Sequence, residues 1–266
     1  MAEITAATVK ALREETGQGM MDCKKALEET GGDVDAAKDL LRKKGLITAE
    51  KKAGRATSEG LVCIAETPDH TAGAMVEVQC ETDFAARNEE FQTMVRDLAQ
   101  MALDAGVDGP VEASAAMADR LQQALSKIGE NMSYARGVRL SAPRVGSYLH
   151  HNSQVGVLVG VEGDIDDETM ANLCMHIAFA DPVGITAEDV PADIVEKERE
   201  FARQEAVDSG KPPEIAEKMV EGKIRKFISG KALLEQPYIR DDKKQVKEIL
   251  GDAKVTGFAR LAVGQA

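Results

Sequence analysis

The stretch LVCIAETPDHTAGAMVEVQCETDFAARNEEFQTMVRDLAQMA, Leu61 to Ala102, decides how this chain folds. Leu61 to Ala65 and Ala74 to Val78 are apolar runs of strand length, and Pro68 to Gly73 between them is rich in turn formers, which predicts a strand–turn–strand unit. Asn88 then stands where a helix cap belongs. Behind it Phe91, Met94, Val95, Leu98, Met101 and Ala102 fall on one face at helical spacing. Between the second strand and this helix lies Glu81-Thr82-Asp83-Phe84-Ala85. Loops from strand to helix present side chains well. Phe84 fits a core position there, and it fits equally a probe held out beside an acidic residue.

Downstream, Gly106 to Pro110 ends the helix. A second helix carries Met117, Leu121, Leu125 and Ile128, and a strand follows from Ser133 to Leu140, giving the order β-β-α-α-β. The order recurs. Val145 to His150 and Val155 to Val161 read as a second strand pair. Asp166 or Asp167 opens a helix with Leu173, Ile177 and Ala178. Gln245 to Leu250 reads as a helix, and Val255 to Val263 as a strand. A weak internal duplication with a long insertion is the expectation. The insertion, about 191–230, has one arm with Ile194 and Phe201 seven apart. The breaker Ser209-Gly210-Lys211-Pro212-Pro213 follows, and a second arm has Ile215, Met219, Val220, Ile224 and Phe227. So short a turn predicts a projecting antiparallel coiled-coil hairpin. Folding down onto the sheet is the alternative.

Upstream, residues 1–46 read as three short helices. Thr5 caps the first, in which Val9 and Leu12 share a face, and Gly17 ends it. The second runs from Met20 to Glu29. Asp33 caps the third, which places Val34, Ala37 and Leu41 on one stripe before Gly45. Ala49 to Ala56 reads as a linker that a helix could continue into. The expected fold class is therefore α+β. Residues 1–55 form the helical module and linker, 56–141 the first core subdomain, 142–190 with 231–266 the second, and 191–230 the inserted hairpin.

The chain has 266 residues, 43% hydrophobic but only 3% aromatic and without Trp, so its cores must be built from aliphatic residues and Met. A formal charge of -13 argues against binding phosphate backbones directly. Cys23, Cys63, Cys80 and Cys174 show no CxxC spacing, and with His scarce they read as reduced thiols rather than a zinc site. Glu3, Lys10 and Arg13 interrupt any secretory signal at the start, and no apolar run approaches the roughly 20 residues of a membrane span. The expectation is a cytoplasmic protein with no membrane partner.

No catalytic constellation emerges. Gly17-Gln18-Gly19 precedes no phosphate-binding Lys-Ser/Thr pair, and there is neither a GxGxxG after a strand nor a GxSxG elbow. His150 and His151 are adjacent, so on a strand they face opposite ways and do not readily share a metal. No catalytic residue, metal ligand or cofactor is expected. Apolar side chains in odd places stand out instead. Met20-Met21 opens a helix whose small core can take only part of the pair, and flexible, polarisable Met suits adaptable contacts as well as packing.

Several of these runs resemble the bacterial translation elongation factor Ts family. TGQGMMDCKKAL (Thr16 to Leu27) resembles its N-terminal signature. ETDFAARN (Glu81 to Asn88) is similar to its TDFVA motif, and GKPPEIAEKMVEGKIRKF (Gly210 to Phe227) to its hairpin. QVGVLV (Gln154 to Val159) and KVTGFARLAVG (Lys254 to Gly264) resemble its later core. The resemblance spans nearly the whole chain in order. It implies a guanine nucleotide exchange factor of the GTPase elongation factor Tu, built from a ubiquitin-associated-like module, two related core subdomains and the hairpin. It implies that Arg13, Met20, Met21 and Lys24 dock on the partner's nucleotide domain. Asp83 and Phe84, within Thr82 to Ala85, would wedge near its magnesium and phosphate site, and His150, Ile239 and Arg240 would hold another domain. Ala85 replaces the usual Val, and Arg240 stands where an apolar residue is common. Longer members continue past the position of Ala266 into a helix that touches the GTPase, a contact not expected from these residues. Paired hairpins would give a homodimer or a two-plus-two complex.

Overall fold

The computed structural model of the chain describes residues 4–52, 54–208 and 212–265. Three helices come first: α1 (Ala6–Thr16), α2 (Met20–Glu29) and α3 (Val34–Lys52). Thr5 caps α1 through a reciprocal box with Thr8, and Asp33 caps α3 by accepting the Ala36 N–H at 3.0 Å. Their apolar stripes meet in a small core of Val9, Leu12, Cys23, Ala26, Leu27, Ala37 and Leu41. Helix α3 does not stop at Gly45, as the sequence suggested. It continues to Lys52, through the expected start of the linker. A Cβ at Gly45 would sit 2.5 Å from Ser126 Oγ, so this glycine permits close packing of α3 on a later helix and does not end its own. The glycine penalty inside a helix is only about 1 kcal/mol, which such packing offsets.

Next come β1 (Glu59–Glu66), β2 (Ala72–Cys80), the single turn α4 (Asp83–Ala86) and α5 (Glu89–Asp104). They are followed by β3 (Gly109–Pro110), α6 (Ala115–Ile128) and β4 (Met132–Ser141). The strands form an antiparallel sheet in the order β1-β2-β4-β3. Asn88 caps α5, whose Phe91, Met94, Val95, Leu98 and Ala102 are buried against one sheet face, as the spacing predicted; Ala99 joins them, and Met101, expected on that face, is only partly buried. The short β3 and α4 were not foreseen. Helix α6 rests on α5 and also receives α3, with Arg42 facing Asp119 at 3.5 Å.

The second half begins with β5 (Arg144–Leu149), β6 (Val155–Glu162) and α7 (Asp167–Ala180), capped by Asp166. It ends with the ribbon β7 (Pro237–Tyr238) and β8 (Asp241–Gln245), the turn α10 (Val246–Ile249) and β9 (Lys254–Ala262). Its antiparallel sheet runs β5-β6-β9. In both sheets the second strand lies between the first and the last. In both, the register shifts between those last two partners, at Glu77/Val78 and at Gly160/Val161. The sheets pack on each other through Val62, Met75, Val145, Leu158 and Leu261. Contact is close enough that a Cβ at Gly156 would meet Val62 Cγ1 at 2.6 Å.

Between α7 and β7 lie α8 (Ala192–Asp208) and α9 (Pro213–Lys231), packed on one another. Their shared cluster is Ala202, Ala206, Val220 and Ile224, with Val195, Ala216 and Ile228 at its edges. Phe201, expected in the seam, is 72% exposed. Ala202 takes its place, because small side chains let two short helices approach closely. The molecule is thus α+β, with mixed helix and antiparallel sheet.

Candidate partner-binding site

The turn α4 resolves the ambiguity over Phe84. It is one turn of four residues, and Ala85 and Ala86 occupy its inward face, 3% and 7% exposed. Phe84 then points outward and is 77% exposed. Ala85, expected at the partner's surface with its neighbours, is instead part of the core, since so short a helix needs an inward face to hold it. Asp83 is half-buried, and its carboxylate pairs with Arg87 at 3.1 Å.

Polar contacts fix this turn. Thr82, in extended backbone, caps it by accepting the Ala85 N–H at 3.2 Å. The Thr82 hydroxyl donates to the Glu130 carboxylate at 2.9 Å, and the Cys80 thiol donates to the Thr82 carbonyl at 3.2 Å. Burial pushes the Cys80 thiol up to about 12, so it stays protonated and able to donate. Glu81 accepts the Asn131 N–H at 2.6 Å and faces Arg55 at 3.3 Å. That N–H, followed by Arg55, holds its carboxyl below the usual range. An exposed aromatic on so constrained a turn would lose little conformational freedom in any contact it made.

A cleft beside α4 is lined by Asp83, Arg87, Arg96, Leu149, His151 and Asn152. It therefore joins the turn to the β5–β6 connection. His150 there is half-buried, with Nδ1 2.8 Å from the Tyr148 hydroxyl and its ring edge-on to His151 at 4.2 Å between centroids. The Val62 N–H donates to the Ser153 carbonyl at 2.7 Å, so this connection seats on the edge of β1.

Met20 and Met21 occupy the first turn of α2, 53% and 60% exposed, while Cys23, Ala26 and Leu27 take its inward face. Neither Met belongs to the core, which removes the packing alternative for both. Arg13 is exposed in the last turn of α1, and Lys24 is exposed on α2, 3.7 Å from Glu28. These four residues flank the turn at Gly17 to Gly19.

Ile239 and Arg240 form the exposed tip of the β7–β8 ribbon, an element the sequence reading missed. His176 supports it. Its ring is fully buried, accepts the Ile239 N–H at 3.4 Å and lies 2.9 Å from Gln236 Oε1. Burial lowers its pKa. Phe179, also overlooked, is 81% exposed near the end of α7. Its offset of two positions from Ile177 takes it off the apolar stripe, and that offset was the available signal.

Among the described residues no group of three or more His, Cys, Asp or Glu is arranged to hold a metal, and no helix is long and apolar enough to cross a membrane. Of the expected site residues, Arg13, Met20, Met21, Lys24, Phe84, Ile239 and Arg240 are exposed, and they lie on separate turns and helix ends. Residues 81–265 match the family model for elongation factor Ts. The chain is 46% identical over 291 residues to elongation factor Ts of Paramagnetospirillum magneticum, covering all of this chain and 93% of the relative. It is 43% identical over 275 residues to that of Thioalkalivibrio sulfidiphilus, with 98% and 92% covered. With elongation factor Ts of Aquifex aeolicus it shares 40% identity over 279 residues, 96% of each chain. The chain belongs to the elongation factor Ts family of translation elongation factors.

Proposed function

We propose that this chain is the guanine nucleotide exchange factor of elongation factor Tu. It binds the GDP-bound GTPase, disturbs the magnesium and phosphate site, and leaves when GTP arrives. The observation that carries this reading is Phe84, 77% exposed on a turn capped by Thr82, which Glu130 and Cys80 in turn bond. Wedging Phe84 into an apolar slot between the partner's helices supplies roughly 1.5–3 kcal/mol. Asp83 sets its angle or disturbs the metal's water network, Thr82 caps the turn, and buried Ala85 backs it. Arg13, Met20, Met21 and Lys24 grip the nucleotide domain. His150, Ile239 and Arg240 hold a second domain. Several anchors must act together, because tight nucleotide binding exceeds what one side chain offsets.

In this reading α1–α3 are a ubiquitin-associated-like module. The two sheets descend from one unit, which the shared strand order and paired register shifts support. Helices α8 and α9 are a coiled-coil hairpin suited to pairing two copies, as a homodimer or a two-plus-two complex. The factor works in the cytoplasm, has no chemical active site or cofactor, and does not touch nucleic acid.

Linkage makes the proposal strict. A factor that weakens nucleotide binding is itself weakened by nucleotide to the same degree. Fluorescent GDP preloaded on purified elongation factor Tu tests it. The chain at micromolar concentration should speed release by orders of magnitude, and excess GTP should dissociate the complex. An unchanged release rate rejects the proposal.

A further inference from the structure

The connection between α6 and β4 carries a polar cluster that reaches the α4 turn from behind. Glu130, half-buried there, accepts the Thr82 hydroxyl on both carboxylate oxygens, at 2.9 and 3.0 Å. The next residue, Asn131, donates its N–H to Glu81 at 2.6 Å and its side-chain amide to the Arg55 carbonyl at 2.9 Å. Lys52, at the end of α3, donates to the Gly129 carbonyl. Three consecutive residues thus tie the segment leaving the N-terminal helices to the two residues that open α4.

Thr82 has one hydroxyl proton and two tasks. It gives the proton to Glu130 and accepts the Ala85 N–H with a lone pair. Donation to a carboxylate is charge-assisted, and it polarises the hydroxyl into a better acceptor. Four residues of helix have little cooperativity of their own, so the cap and the two buried alanines set its direction. The hydrogen bonds from Thr82 offset part of the cost of Glu130's partial desolvation.

We propose that Glu130 is a positioning residue of the exchange reaction: by holding the Thr82 hydroxyl it sets the angle at which Phe84 meets the partner. The inference rests on the exchange-factor reading. A double-mutant cycle of Thr82→Val and Glu130→Ala tests it, read as the rate of GDP release at saturating factor, the half-saturating concentration and the melting temperature. Each single variant should slow the saturating rate roughly tenfold, the scale of a lost charge-assisted hydrogen bond, with half-saturation nearly unchanged. The double variant should be no slower than either single. Glu130→Gln, whose amide oxygen still accepts, should recover most of the rate. Additive losses, no loss, or equal loss in Glu130→Ala and Glu130→Gln overturn the inference. If either truncation fails to fold, Glu130→Asp decides. Its carboxylate is drawn back by one methylene and should lower the saturating rate without moving the melting temperature, and an unchanged rate overturns the proposal. A wild-type chain that fails to stimulate release removes the exchange reading and this inference together. Stimulation by wild type with an additive cycle removes this inference alone.

Discussion

Phe84 and Phe91 lie seven positions apart and end at opposite limits of exposure, 77% against 0%. Their surroundings differ in length and in what holds them. Phe91 is in the first turn of α5, sixteen residues with a continuous apolar face against the sheet. Phe84 is on α4, four residues whose inward face is filled by two alanines. Phe91 is buried because it falls on the apolar stripe of its long helix, whereas Phe179 and Phe201, off the stripes of α7 and α8, are exposed. A one-turn helix anchored by a cap and two methyl groups has no room for one and presents it. The same residue type is therefore core in one place and exposed in the other.

Substitutions can break or sharpen that division. The largest effect belongs to Phe91→Ala, which should cost about 3–5 kcal/mol of unfolding free energy. Urea unfolding measures it, and a cost below about 1 kcal/mol would mean that α5 does not anchor the first core. Met20→Ala with Met21→Ala extends the contact side of the comparison. The pair should weaken binding to elongation factor Tu about tenfold, roughly 1.4 kcal/mol, in calorimetric titration. Its melting temperature should stay unchanged, since both side chains are exposed. Asn88 stands between the two helices and accepts the Glu90 N–H at 2.9 Å. Asn88→Ala should lower stability by about 1 kcal/mol and leave saturating exchange rates alone, because the cap belongs to α5. A loss of exchange without a loss of stability would show that α4 and α5 do not divide the labour.

The smallest effect is a pH dependence in the second half. Burial lowers the pKa of His176, so the unfolded chain takes up a proton near the ordinary value of 6.5 that the folded chain resists. More protons bound on unfolding means that stability falls as pH drops below 6.5 and levels off below the folded pKa. Above 6.5 this group contributes no slope. Melting temperatures measured from about pH 5.5 to 8 should show that decline, and His176→Gln should flatten it. An identical slope in the variant would assign the decline to other groups.

How much could be read beforehand follows the same division. Helix α5, its Asn88 cap, the cap Thr5, Asp166 as one of two caps offered for α7, and strands β1, β2, β4, β5, β6 and β9 were legible because they depend on local periodicity and on side chains that bond within three residues. Gly45 was misread as a stop because its role is set by Ser126, far along the chain. Phe201 was placed in a seam that Ala202 fills, since a heptad read one position out looks equally good in a charged helix. The β7–β8 ribbon escaped notice because Asp241 to Gln245 is polar throughout and its support is the buried His176. Spacing alone leaves Phe84 between two readings and the resemblance implies the exposed one; the burial of Ala85 and Ala86 shows which side of the turn faces out. Glu130 and Asn131 gave no signal at all. Their partners are 48 to 76 residues away, and no spacing rule reaches so far.

The contact role of Phe84 is the central claim, and one measurement reaches it directly: the rate of fluorescent GDP release from elongation factor Tu at saturating Phe84→Ala, beside the melting temperature of the same preparation. The account predicts a melting temperature within about 2 °C of wild type, because an exposed side chain contributes little to folding. It also predicts stimulated release slowed by roughly tenfold to a hundredfold, the kinetic equivalent of losing a buried aromatic contact in the transition state. Wild-type release from a stably folded variant would contradict it.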